Sequence, residues 1–271
     1  MTALAATARY EALMQLRKPA LWLGSAGLLA ALVAVSRGQV LGVLAERRAR
    51  VAVLDVTLAT GFLMPLVCGC VLADRLVRDL RLGVWPLLDA TPAGTGTLLV
   101  GKYLGTCAAA AVPGAACLFG FAAVYGARRA DAGALGWAVA GFATVTVPAV
   151  LFVGAFALLC PLVMPPPMFR VLFVGYWFWG NALSPEFLPT LNGTLVSPLG
   201  GYPVRGLLHC SDRDIATVIR AGPVRHAMLN SLRPAPNPLT ASLSIAVLLA
   251  AAAAALLAAH ALLTRYAREA S

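Results

Sequence analysis

The chain has 271 residues, of which 60% are apolar and 12% charged, with a formal net charge of +10 and a mean hydropathy of +0.83. Domains bathed in water carry about 25% charged residues, so a water-facing surface all round is excluded and an integral membrane protein is expected. The basic residues are scattered between apolar runs and form no patch. That argues against nucleic acid as a partner and for loop charge and contact with anionic membrane lipids.

Residues 1–18 read as an interfacial helix, with Tyr10, Leu13, Met14 and Leu16 alternating with Arg9, Glu11, Gln15 and Arg17. One apolar stripe and one charged face suit the membrane surface. Membrane spans are expected at about 19–36, 51–73, 97–126, 132–163, 168–183 and 239–263. Asp55 lies near the start of the second span, where an acid is a functional-site hypothesis by default. Lys102 lies near the start of the third and can snorkel to the interface. Between Ala132 and Phe169 there are 38 positions without charge, about 57 Å as a single helix. Pro161, Pro165, Pro166 and Pro167 force that run to fold back. Tyr176, Trp177, Phe178 and Trp179 place the far end of span five at headgroup depth.

Residues 184–238 form the longest segment outside the spans and read as a long external loop, with room for re-entrant or interfacial helices. Asn192-Gly193-Thr194 matches a glycosylation acceptor, a three-residue pattern common by chance. Six spans put both termini on one side. Short-loop charges place that side in the cytoplasm, while all loop charges together give no bias. Cys68, Cys70, Cys107, Cys117 and Cys160 lie in apolar segments and only Cys210 in a polar one. Cys68 and Cys70 are too close for a metal pair, which usually has about two to four intervening residues, so these read as small core residues.

The charged interruption at 74–96 joins spans two and three. Asp74 with Arg78, and Arg75 with Asp79, are opposite charges one helical turn apart, so span two can continue as a helix into water. Gly83 ends that extension, Pro86 starts a short helix, and Pro92 stops it after Thr91. Gly96 to Tyr103 imitates a phosphate-binding loop, but Tyr103 stands where Ser or Thr would hold magnesium, and Leu98-Leu99-Val100 fills its middle. Gly101-x-x-x-Gly105 permits close helix packing. No hydrolase elbow, zinc-protease helix or His/Cys cluster is present, so no catalytic residue and no resident metal are expected.

Three pieces here resemble the membrane subunits of ATP-binding-cassette exporters, the ABC type-2 permease family. They are Asp74-Arg75-x-x-Arg78-Asp79 with Gly83, then Leu87-Leu88-Asp89-Ala90-Thr91-Pro92, then Gly101-Lys102-Tyr103-Leu104-Gly105. Asn192-Gly193-Thr194 and Ser197-Pro198-Leu199-Gly200 extend the resemblance. Pro86 departs from the polar or acidic residue expected there. The resemblance implies an all-α, polytopic membrane fold of six helices, forming one transmembrane domain over 1–271. It implies a second permease subunit, identical or not, and two ATPase subunits that bind ATP and magnesium, with no cofactor in this chain. The segment between spans two and three would be the coupling helix seated in a cleft of the ATPase. Its contact set would be Asp79, Arg81, Gly83, Trp85, Leu87, Leu88, Asp89, Thr91 and Pro92, with Gly101, Lys102 and Gly105 at the start of span three. The expected location is the plasma membrane. The alternative is a membrane scaffold or accessory subunit without a transport path.

Overall fold

The computed structural model describes residues 2–35, 37–83, 94–186, 188–211 and 229–269, and within them the chain is helical, with no strand. Nine helices are used below: α1 (Ala3–Leu16), α2 (Pro19–Val35), α3 (Arg37–Ala45), α4 (Ala49–Leu72), α5 (Arg75–Arg81), α6 (Thr95–Arg129), α7 (Gly133–Val163), α8 (Pro166–Asn181) and α9 (Pro238–Glu269). Four helical runs are long and apolar enough to cross a membrane: α4 with α5, α6, α7, and α9 as far as Tyr266. The spans expected at 19–36 and 168–183 coincide with α2 and α8, of 17 and 16 residues, somewhat below the roughly 20 that cross a hydrocarbon core upright. Ser36 and Phe187 lie outside the described residues.

The helix limits follow from local chemistry. Thr2 caps α1 through its hydroxyl, and Pro19 opens α2, where its missing N–H costs nothing. The proline-rich run breaks the helix near Val163, as expected, but Pro161 lies inside α7, Met164 is extended, and α8 begins at Pro166, two residues before the expected start at 168. Asn237 and Thr240 cap α9 reciprocally, each side chain accepting from the other's backbone N–H at 2.8 and 2.9 Å. A π-helical turn at Phe142–Thr146 interrupts α7.

Helix α4 is the centre of the bundle and packs on α2, α6, α7 and α8. Its apolar stretch is 72% buried, against 22% for α9. Helix α9 instead turns Leu239, Leu243 and Leu257 outward, an apolar face suited to lipid rather than water.

The contacts divide the bundle into two ends. At one, the α3–α4 connection meets the end of α6: the Tyr125 hydroxyl donates to the Glu46 carbonyl at 2.7 Å, and Arg129 reaches the carbonyls of Leu44 and Ala45. The amides of Arg48 and Arg47 hold the Glu46 carboxyl below its usual range. The same end receives residues 188–211 and 229–237, part of the expected external loop. That stretch is folded into the protein. Leu199, Val204, Leu208 and Cys210 join the main core. Gly200, at φ +74°, runs so close to Val145 that an added Cβ would lie 2.4 Å from it. Arg233, 1% exposed, donates to the carbonyls of Thr190 at 2.7 Å and Asn192 at 3.1 Å. Asn192 and Thr194 are both buried, and Asn192 donates to the Leu183 carbonyl at 3.3 Å, so this triplet is closed to a glycan. Residues 212–228 lie outside the described residues.

Candidate functional site

The opposite end gathers α1, α5, the first turns of α6, the α7–α8 break and the end of α9. The two-residue turn at Ala73–Asp74 lets α5 follow α4 almost without interruption. Helix α5 stops where glycine permits it. The amide of Gly83 donates to the Leu80 carbonyl at 3.1 Å and its φ is +64°, a left-handed terminus.

The extension exposes Arg78, Arg81 and Leu82 on one face and packs the other against the bundle. Leu76 and Asp79 are buried. Arg75 makes a two-pronged contact with Glu11 of α1, Nε to Oε1 at 2.5 Å and Nη2 to Oε2 at 2.9 Å. It also reaches Asp79 at 3.4 Å. The other oxygen of Asp79 takes the ammonium of Lys102. Gln15 donates to Glu11 at 2.8 Å, and Thr106 donates to the Lys102 carbonyl at 2.8 Å. Two cations and two anions therefore cancel, with Glu11, Asp79 and Lys102 each less than a tenth exposed. Ions this deep persist only when paired and hydrogen-bonded. Beside them, burial and then the charge of Arg75 push the Lys18 ammonium below its usual range.

Gly101 and Gly105 make this geometry possible. A Cβ on Gly105 would lie 2.3 Å from the Ala8 carbonyl oxygen and 2.8 Å from the Glu11 Cβ. One on Gly101 would lie 2.8 Å from Thr7. The paired glycines form the seat of α1 on α6 and bring Glu11 within reach of Arg75. Helix α1 turns Tyr10 and Leu13 outward and buries its polar Glu11 and Gln15. Arg9 and Arg17 are exposed as well, so the outer face mixes apolar and cationic side chains, the arrangement a membrane surface favours.

Among the sequence-derived site residues, Asp79, Lys102, Gly101 and Gly105 converge on this network. Lys102 binds Asp79 instead of snorkelling. Arg81 lies exposed in a groove between α5, the α7–α8 break and Tyr266. Trp85, Leu87, Leu88, Asp89, Thr91 and Pro92, with the short helix expected at Pro86 to Thr91, lie outside the described residues. Of the two expected one-turn pairs, Arg75 with Asp79 forms, whereas Asp74 pairs with Arg170 of α8. The phosphate-loop imitation is an ordinary helix start, because the amides of Thr97 and Leu98 already donate to the Gly94 carbonyl.

No family model and no curated protein matches the chain.

The residues that sequence reasoning missed are Glu11, Gln15 and Arg170. Each is a polar residue in or beside an apolar helix, which is the signal for a buried partner. Their partners lie 64 and 96 positions away in the cases of Glu11 and Arg170. None of the six cysteines forms a disulfide, and Cys68, Cys107 and Cys210 are buried.

Proposed function

We propose that the chain is the membrane-spanning permease subunit of an ATP-binding-cassette exporter, which moves a substrate across the membrane on ATP hydrolysed by a separate subunit. In this reading the chain crosses six times, through α2, α4 with α5, α6, α7, α8 and α9. Helices α2 and α8 are the short crossings. The end that holds α1 and α5 faces the cytoplasm, and the folded 188–211 and 229–237 segments lie outside.

The observation that carries this reading is the buried ion network at the base of the connection between α5 and α6. Asp79 and Lys102 flank residues 84–93 in the chain and tie their two anchor points together. Glu11 ties α1 to the same point. A push delivered to 84–93 by an ATPase would move α4, α6 and α1 as a unit rather than bend a loop. Leu87 and Leu88 supply apolar contact and Asp89 a charge for a basic partner, as the resemblance to type-2 permeases implies. Two ATPase subunits and a second permease subunit complete the assembly. Nucleotide and magnesium belong to the ATPases.

Replacing Leu88 and Asp89 together by lysine is expected to cut the ATPase that co-purifies with the chain at least tenfold (about 1.4 kcal/mol of association free energy), with membrane insertion unchanged. Equal recovery of ATPase with the wild type and the double variant would place the contact elsewhere. A chain that inserts normally and brings down no ATPase in either form would favour the scaffold reading.

A further inference from the structure

A groove of about 320 Å³ opens between α5, the end of α7 and the end of α9, lined among others by Val77, Leu80, Arg81, Val163, Met164 and Tyr266. Its size falls at the lower end of small-molecule sites, about 300–1,000 Å³. The lining is apolar except for two groups. Arg81 is the one charged side chain among the described residues that line it, and it stands exposed in the last turn of α5. The Tyr266 hydroxyl lies 3.5 Å from the Leu162 carbonyl, so its ring forms one wall and its polar tip marks one rim. Val163 is 72% exposed beside it.

Such a groove joins an aliphatic trough to one cation at the end of an apolar bundle. A tyrosine at that level sits where headgroups begin, and an arginine there holds its charge toward the headgroups while its stem lies along apolar surface. Basic pockets between membrane helices select anionic headgroups. We infer that this groove binds an anionic phospholipid, with the first part of an acyl chain along Leu80, Val163 and Met164 and the phosphate on Arg81. Arg81 then leaves the set of residues that face an ATPase. The site requires that the chain span a membrane and is independent of the exporter reading, since a scaffold with the same bundle would hold the same lipid.

Native mass spectrometry of the full chain, stripped of lipid and titrated with phosphatidylglycerol or phosphatidylcholine, tests this. Retained phosphatidylglycerol adducts are expected, with affinity at least tenfold above phosphatidylcholine. Arg81→Gln should remove that preference, Arg81→Lys should keep most of it, and Met164→Trp should weaken binding of both lipids by filling the trough. Arg78→Gln and Arg265→Gln alter exposed arginines outside the groove and should leave the preference unchanged. Equal losses in Arg78→Gln and Arg81→Gln would reduce the effect to general attraction and overturn the site. So would an Arg81→Gln chain with undiminished preference.

Discussion

Replacing Asp79 by alanine is expected to destabilise the protein by about 3–5 kcal/mol, the usual cost of removing one partner from a buried ion pair. At about 2–4 °C per kcal/mol for chains near this size, the thermal midpoint should fall by roughly 10 °C. Asp79 contacts both Arg75 and Lys102, so its loss removes the carboxylate that the two cations share. The penalty comes from the net positive charge left in the network more than from the broken contact. Asp79→Ala combined with Lys102→Met should therefore recover at least half of the lost stability, because methionine keeps most of the stem volume and removes the charge. Asp74→Ala is the comparison. Its pair with Arg170 is roughly half exposed, and such pairs contribute about 0–1 kcal/mol. Thermal unfolding in lipid nanodiscs separates the two cases. Similar shifts for Asp79→Ala and Asp74→Ala would mean that the network is not buried as described.

The second large effect is expected at Gly105. An added side chain there meets the Ala8 carbonyl oxygen at 2.3 Å, a backbone atom that no rotamer change can move. Overpacking alone costs about 1–3 kcal/mol. Helix α1 must also shift, which takes Glu11 off Arg75 and adds part of the ion-pair cost. Gly105→Val should thus destabilise about as strongly as Asp79→Ala and expose α1 to trypsin at Arg9 and Arg17. Gly120 lies on the same helix with nothing within 4 Å of its Cβ position. Gly120→Ala should be neutral or stabilising by up to about 1 kcal/mol, the helix preference of alanine over glycine. Equal tolerance at positions 105 and 120, measured by thermal midpoint and cleavage pattern, would remove α1 from its seat.

What could be read from sequence was what composition and backbone chemistry decide locally. Uncharged runs announced the long helices, the prolines from Pro161 to Pro167 announced the break between α7 and α8, and Gly83 announced the end of α5. Gly101 and Gly105 announced a close helix approach without naming the helix. The partner was hidden because the apolar stripe read on α1 is not the face that packs: Tyr10 and Leu13 turn outward while Glu11 and Gln15 are buried, and a polar residue does not reveal whether it faces water or another ion. The Arg170–Asp74 pair was hidden for the same reason, since a satisfying one-turn partner, Arg78, stood nearer in the sequence. The folding of 188–211 into the core was illegible because Leu199, Val204 and Leu208 stand among prolines and glycines with no helical or strand period. Their burial depends on the surface that α7 and α9 present, against which Pro203–Leu207 packs.

The claim that this bundle is driven by a separate ATPase is tested most directly by purifying the full chain in mild detergent from the cell that makes it. The preparation is then identified by mass spectrometry and assayed for ATP hydrolysis. The account predicts an ATPase subunit in equal number to the permease subunits and a hydrolysis activity that disappears with the paired lysine substitutions at Leu88 and Asp89. An intact, membrane-inserted chain purified free of any ATPase, with no hydrolysis to lose, would contradict it.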